Sequence, residues 1–390
     1  MIYKKNLYEQ VLDDLEEFFN HQTDLTSGEL PAKYMFTSFP AYINSLRPTL
    51  HNFHKQINKY DGDTRMPYSQ KEIQIIYVLR YFHAYWIQIY DALNAIYDND
   101  LDFYTFEEDK LKVALFCSGP APELIGITRF LEENRELNFK SIEIHFFDEI
   151  RSWEFARKTF LFSNRKKDLL EKNFNMNFYT HDIDLTNSND LEKFNTLNSF
   201  DIIAFQNCLG EFSNSSNESD SRNFLKILES LSPECFAIFT DRNVPNTAKG
   251  FEMVEKYCSS KDYSLYQDDY HEFSALEDSP LPKILQNGNF FRDPVHSAAG
   301  VSAMGTNRYR TVIYQKHAKK IDSEAKTKKA LNFKIGDSVI HSSLGKGTIK
   351  STIKSVTDST LALMVVFEEH SKPKTINLPC EEIKKIQNTY

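Results

Sequence analysis

Residues 117–122 read CSGPAP, small residues and two prolines where an apolar stretch, KVALF, gives way to a helical pattern. The chain holds only 12 glycines in 390 residues, so small residues at one turn are a local choice. A tight turn would explain them. So would a ligand that approaches the backbone amides, with the helix starting near Pro122 directing its positive end at the site. Further on, FFDE places Asp148 just past the next apolar run, where a carboxylate can accept from two hydroxyls of a ribose. HDID then offers Asp182 or Asp184 to an exocyclic amine. QNCLGEF adds Asn207, Gly210 and Glu211 after a fourth run. Together these groups outline a nucleoside-shaped site. Glu211 is the candidate base or substrate contact, with Asn207 beside it, because a transfer reaction can need little beyond orientation and a proton acceptor. The plainer reading of Glu211 is a solvated loop acid. Cys208 reads as a small apolar filler at the end of a buried strand rather than a nucleophile.

Such a site needs a parallel sheet beneath it. From Lys112 short apolar runs alternate with helical patterns: KVALFCS, SIEIHFFD, FNMNFYTHD, FDIIAFQN, CFAIFTD and finally YRTVIYQK. Alternation of this kind indicates an α/β fold with a parallel sheet, whose central strands are apolar on both faces. Ligands of open α/β sheets bind at the carboxyl ends of the strands, where the strand order reverses. One helix is expected over residues 153–173, another near residues 221–231, and SNSSNESDS (213–221) reads as a loop.

Residues 1–108 read as helices. LYEQVLDDLEEFF places Leu7, Val11, Leu12, Leu15, Phe18 and Phe19 on one face, and a helix over residues 41–60 must be interrupted at Pro48. The helix over residues 69–97 opens with Ser69 and Glu72 at capping-box spacing and is apolar on more than one face, so it belongs between helical neighbours and the sheet. It could supply Tyr81, Tyr85 or Trp86 to a pocket, although an aromatic stripe at helical spacing is more often core. His51 and His54 read as a surface pair rather than metal ligands, and no metal is expected. Arg292 and His296 lie where a substrate loop would precede the last strand.

The formal net charge is −9, but residues 318–390 carry 13 Lys, no Arg and 8 acidic residues, a net of +5 that leaves −14 for the rest. Five scattered cysteines without a C-x-x-C fit a reducing compartment. The early acidic residues do not suit a signal peptide, and no run reaches the ~18 apolar residues of a membrane span. A cytoplasmic protein without a membrane partner is expected.

The ordered segments resemble the class I S-adenosylmethionine-dependent methyltransferases. FCSGPAPELIGI followed by FFDEIRSW is similar to a group whose first motif reads G-G-G-P-G-S-D/E, with Cys117, Gly119 and Ala121 at the glycine positions and Glu123 at the acidic one. The resemblance spans residues 109–317. It implies S-adenosylmethionine as cofactor, with residues 119–123 against its methionine part. Asp148 would hold the ribose and Asp182 the adenine amine, with Trp153 or a neighbouring apolar residue against the base. A nucleoside-sized hollow is expected between Gly119 and Asp148. Cys117 and Ala121 depart from the pattern, and neither would meet a positive-φ requirement without strain. QNCLGEF lacks the Pro-Pro turn of enzymes that methylate exocyclic amines of bases.

After a charged stretch read as a linker (318–331), FKIGDSVIHSSLGKGTI opens a segment of short strands broken by Gly, Ser and Asp. It resembles the Tudor-like domain at the C-terminus of UvrD/PcrA-type helicases through Gly336, Asp337, Val339, His341, Gly345 and Gly347, and implies a small all-β barrel over residues 332–390. In that family and in CarD-like factors the barrel meets RNA polymerase, so a protein partner is implied, with nucleic acid second. Lys346, Lys350 and Lys354 fall on one strand face. The expected organisation is a helical lid region (1–108), a Rossmann-like methyltransferase domain (109–317), the linker and the barrel. The expected activity is methyl transfer to an unidentified acceptor near transcription or nucleic-acid machinery. The alternative is a non-catalytic adaptor or cofactor sensor, a role that would suit phage defence.

Overall fold

The computed structural model describes residues 2–3, 6–21, 35–58, 68–98, 110–135, 137, 139–148, 150–184, 200–214, 218–287, 290–291 and 303–317, and, nearer the C-terminus, 338–341, 345–354, 360–367, 374–377 and 383–385. The chain divides into two compact units, Met1–Lys319 and Lys320–Tyr390.

The first unit begins with α1 (Leu7–His21), α2 (Phe39–Ser45) and α3 (Arg47–Asn58). Pro48 sits in the first turn of α3, where its missing N–H costs nothing, and the chain breaks just before it. Next come α4 (Lys71–Tyr77), a π-helical turn (Val78–Phe82) and α5 (His83–Asp98), which run on from one another. The α/β part follows in the order β1 (Lys110–Phe116), α6 (Glu123–Glu133), β2 (Ser141–Asp148), α7 (Ile150–Ala156), a second π turn (Arg157–Leu161), α8 (Asn164–Phe174) and β3 (Met176–Asp182). It continues with β4 (Ile202–Gln206), α9 (Leu209–Asn214), α10 (Glu218–Ser230), β5 (Phe236–Arg242), α11 (Pro245–Ser259), β6 (Tyr263–Phe273), α12 (Ala275–Asp278), α13 (Lys283–Asn287) and β7 (Asn307–Lys316).

The seven strands lie in the order β3-β2-β1-β4-β5-β7-β6. β1 to β5 pair in parallel, while β7 runs antiparallel to both β5 and β6. The sheet is therefore mixed rather than purely parallel, an open α/β sheet with helices on both faces. The strand order reverses between β1 and β4. Two cores cover its faces. Val113, Leu115, Ile144 and Phe146 pack with the N-terminal helices and α6, while Ala114, Phe116, Ile203 and Phe205 pack with α9, α10 and α11. On the second face Phe147, Phe116, Phe205 and Phe239 stack from strand to strand at 4.7, 4.6 and 5.6 Å. His181 continues the row at 4.5 Å from Phe147. Each neighbour in the row is also a register partner, so these rings fix the alignment of five strands just below their carboxyl ends.

The expected helix over residues 153–173 is two helices, because the chain leaves helical geometry at Phe162 and restarts after Ser163. SNSSNESDS lies partly inside α9 and α10 rather than forming a loop throughout. The helix α11 carries only a sparse apolar stripe (Phe251, Val254 and Cys258), and the strand β6 shows neither an apolar run nor clean alternation. Residues 318–331, Gly336, Asp337, Arg292 and His296 lie outside the described residues.

The second unit is an antiparallel five-stranded sheet of β8 (Ser338–His341), β9 (Gly345–Lys354), β10 (Thr360–Phe367), β11 (Lys374–Asn377) and β12 (Ile383–Lys385), in the order β11-β10-β9-β8-β12. Two register irregularities interrupt the β9–β10 pairing. Among the described residues β11 and β12 are the sheet's two edges, with no pairing that closes it into a barrel. No described helix is long and apolar enough to cross a membrane.

Candidate functional site

The turn from β1 to α6 is closed by hydrogen bonds from Cys117 N to Phe147 O (2.9 Å) and from Ala121 N to Ser118 O (2.6 Å). Cys117, Gly119 and Ala121 all have left-handed backbone, with φ of 51°, 51° and 57°. Glycine adopts this conformation freely, but for Cys and Ala it costs roughly 1–2 kcal/mol each. The alternate residues of this turn therefore share one conformation, and two of them hold it under strain. Strain of this kind persists where surrounding structure imposes it, often beside a ligand.

The structure joins Gly119 and Asp148 rather than separating them. Gly119 N–H donates to Asp148 Oδ2 at 2.6 Å, so no nucleoside-sized hollow lies between the two. A ligand would lie over the pair, not within it. Arg157, from the π turn after α7, holds the assembly from beneath. Its Nε donates to Gly119 O at 2.7 Å, and its Nη2 donates to Ser118 Oγ at 3.0 Å and lies 3.5 Å from Asp148 Oδ2. The Phe146 ring backs the guanidinium at 5.3 Å.

Glu123 opens α6 and is 2% exposed. Burial pushes its carboxyl up to about 8, opposed by its own backbone N–H and by Arg157. Two buried polar atoms here, Glu123 Oε2 and Arg157 Nη1, have no hydrogen-bond partner among the described residues. Asp182 is exposed at the end of β3 and is the register partner of Asp148, so both leave the sheet on the same side. Asp184 is half-buried just beyond it. Trp153 is buried, with its indole 3.4 Å from where a Cβ on Gly119 would sit and with Tyr68 and Tyr77 rings packed on it at 4.9 and 5.0 Å. It walls the turn and belongs to the aromatic core.

At the end of β4, Asn207 has φ 56° and exchanges two side-chain hydrogen bonds with Gln88 of α5, at 2.9 and 3.2 Å. The amide of Asn207 is thus turned to the helix. Glu211 lies in α9, and its side chain is outside the described residues. Cys208 is buried in the second core. Among the described residues no cysteine is in a disulfide.

The helices α4 and α5 cross the carboxyl edge of the sheet, as Gln206 Nε2 donates to Tyr85 O (3.0 Å) and Asn307 Nδ2 to Ala84 O (2.8 Å). Gly126 permits the close crossing of α5 and α6, since a Cβ there would meet Trp86 O at 2.4 Å. Trp86 is core, covered by the Arg129 guanidinium at 3.8 Å. Tyr77, Tyr81 and Tyr85 form a stripe along one face. His54 Nδ1 lies 2.8 Å from Arg80 Nη1, and His51 is buried, so these histidines are not the surface pair their spacing suggested. Among the described residues no cluster of three metal-ligating side chains occurs. A groove of about 1970 Å³ lies between α1, α8 and β3, lined by Arg157 as well as by Lys166, which pairs with Asp14.

Sequence reasoning did not single out Arg157, Gln88 or Arg242. Arg157 had one available signal, as a charge among the apolar positions Trp153, Ala156, Phe160 and Leu161 of an otherwise buried helical face.

No protein-family model and no curated protein matches the sequence. Among solved structures, the chain is similar to a proposed class I S-adenosylmethionine-dependent methyltransferase of Listeria monocytogenes, with 7% identity over 82% of this chain and 90% of that one, and a TM-score of 0.40. It is also similar to the citrinin polyketide synthase CMeT domain (15% identity, 72% and 70% covered, TM-score 0.35). A third is loganic acid methyltransferase with SAH (9% identity, 60% and 92% covered, TM-score 0.34). At these values the likenesses carry no argument about activity, which has to come from this chain's own strand order and turn.

Proposed function

We propose that the first unit binds S-adenosylmethionine at the β1–α6 turn and transfers its methyl group to an acceptor held over the ends of β4 and β5. The observation that carries this reading is the turn itself: three alternate left-handed residues, two of them non-glycine, with the third, Gly119, donating to the acid that ends β2, all placed where the strand order reverses. The residues suit the cofactor. No large side chain stands in the turn, and Glu123 Oε2 is a buried polar atom with no partner among the described residues. When bound, the cofactor supplies an activated methyl group. Asp148 would accept from ribose hydroxyls, Asp182 from the adenine amine, and Arg157 keeps Gly119 and Asp148 in register. Asn207, fixed by Gln88, shapes the far wall. Glu211 is assigned the proton-accepting role at the start of α9.

The second unit is assigned as a Tudor-like tether to RNA polymerase or another protein. Its five antiparallel strands and their two edges support that assignment, together with the sequence resemblance.

Calorimetry with S-adenosylhomocysteine tests the cofactor assignment. Micromolar binding by the natural protein, abolished in Asp148→Ala, is expected. No binding by the natural protein would leave the sheet as a scaffold and favour an adaptor.

A further inference from the structure

The chain leaves β4 through the left-handed Asn207 and enters α9 two residues later, and it is held there from both faces of the sheet. On one face Asn207 exchanges side-chain hydrogen bonds with Gln88 of α5. On the other, which Phe239 and Leu209 share, Asp241 of β5 reaches α9. Its Oδ2 accepts from Leu209 N at 3.0 Å, and its Oδ1 accepts from Arg242 N at 2.7 Å. One carboxylate therefore ties the end of β5 to the start of the helix that carries Glu211.

Leu209 is fully buried and Asp241 is 3% exposed. The helix α11 presses on the same turn, since a Cβ at Gly250 would come within 2.7 Å of Leu209 O. A buried amide that loses its acceptor here has no water to turn to. Few charges face Asp241. Arg242 follows it in β5 and favours the carboxylate, and Tyr85 of α5 lies within electrostatic reach. Arg310, its register partner on β7, is occupied by Glu255 and Asp268 at 2.6 and 2.7 Å. Glu211 is the ionisable residue of α9 itself. Burial pushes the Asp241 carboxyl up to about 6, against the pull of Arg242 and of the Arg242, Leu209 and Gly210 amides. With Asp241 still buried, loss of the Leu209 and Gly210 bonds would raise it further, so a proton taken up there favours the turn that has let go.

We propose that Asp241 is a positioning residue: it holds the first turn of α9, and with it Glu211, at the ends of β4 and β5, and it lets that turn loosen when it is protonated. That the held segment serves a methyl acceptor rests on the function proposed above; the clamp does not. Gln88 fixes Asn207 and Asp241 fixes Leu209, so the segment that reads as an acceptor site in the sequence is set from outside, by one residue on each face of the sheet.

The test follows backbone amide exchange in the full chain between about pH 7.5 and 5, corrected for the intrinsic pH dependence of exchange. Peptides spanning residues 207–214 report on α9, and peptides spanning residues 123–133 of α6 serve as the reference. Protection of the α9 amides should fall at least tenfold as pH drops through about 6, while α6 stays protected. Asp241→Asn, which cannot titrate, should be poorly protected in α9 throughout and show no step. A pH-independent α9, a step shared equally by α6, or a step that survives in Asp241→Asn overturns the proposal. If Asp241→Asn does not fold, Asp241→Glu replaces it. A severalfold loss of α9 protection at the upper pH is then expected, because the carboxylate is displaced by one methylene; undiminished protection again overturns the proposal. S-adenosylhomocysteine is titrated in parallel, and failure of the natural protein to bind it counts against the cofactor assignment alone, because α9 exchange is measured without it.

Discussion

Gly119 gives its backbone N–H to the Asp148 carboxylate across 2.6 Å, which makes the end of β2 part of the β1–α6 turn. Arg157 clamps both from below, with a 2.7 Å bond to Gly119 O. Burial lowers the arginine's affinity for its proton, and Asp148 offsets this in part. Removing the cation would leave the Asp148 carboxylate without its partner and Gly119 O and Ser118 Oγ without their donor. Arg157→Ala is expected to cost about 3–5 kcal/mol of stability, measured by urea unfolding; a loss below about 1 kcal/mol would show that the clamp is dispensable.

At Gly126 a Cβ would come within 2.4 Å of both Trp86 O and Ile89 Cγ2. The first contact is backbone and cannot swing away, so Gly126→Ala must push α5 from α6. A loss of about 1–3 kcal/mol is expected, read as a lower melting temperature, together with weaker cofactor binding because α5 also carries Gln88.

Ala121 has φ 57° and is fully buried. Replacing alanine by glycine in an ordinary helix costs about 1 kcal/mol. Here the relief of left-handed strain offsets that cost, so Ala121→Gly should lie within about 1 kcal/mol of the natural protein. Ala121→Val, β-branched in the same conformation, should lose more than about 2 kcal/mol. Equal losses in the two variants would mean that the turn relaxes.

His83 is buried, lies 2.9 Å from Met304 O through Nε2, and is stacked on Tyr8. Burial lowers it from 6.5 to about 4. Because the folded value lies below the unfolded one, its stabilisation is complete above pH 6.5 and is lost as pH falls toward 4. Asp14, Asp201 and Asp241 are each raised to about 6 by burial, and they act in the opposite sense over that window. The whole-protein curve therefore mixes the two. The stability difference between the natural protein and His83→Gln isolates the histidine: it should shrink between pH 7 and 4.5, and a difference independent of pH would contradict the assignment.

The central strands were legible because burial on both faces leaves an unbroken apolar run. SIEIHFFD corresponds to β2 over Ser141–Asp148, FDIIAFQN contains β4, and CFAIFTD covers β5 except for its last residue, Arg242. The strand β6 was not, because it is an edge strand whose residues are mostly half-buried or exposed, and YSLYQDDYHEF shows neither a run nor clean alternation. The helix α11 is interrupted in pattern by Gly250, which is needed because a Cβ there would reach Leu209 O at 2.7 Å. Its reason is tertiary and invisible along the chain.

At the site, Asp148 and Asp182 were legible as acids ending strands. The direct bond from Gly119 to Asp148 was not, nor was the pairing of Asn207 with Gln88, which lies 119 residues away. The first depends on the pairing of β1 with β2, the second on how α5 returns across the edge of the sheet. The π turn between α4 and α5 leaves no mark on the apolar pattern of residues 69–97.

The most direct test of the central claim is a crystal structure of the full chain grown with S-adenosylhomocysteine. The ribose hydroxyls should lie within hydrogen-bond distance of the Asp148 carboxylate, with the amino-acid end of the ligand over residues 117–121. Density for the ligand anywhere else, or none at saturating concentration, would contradict the account.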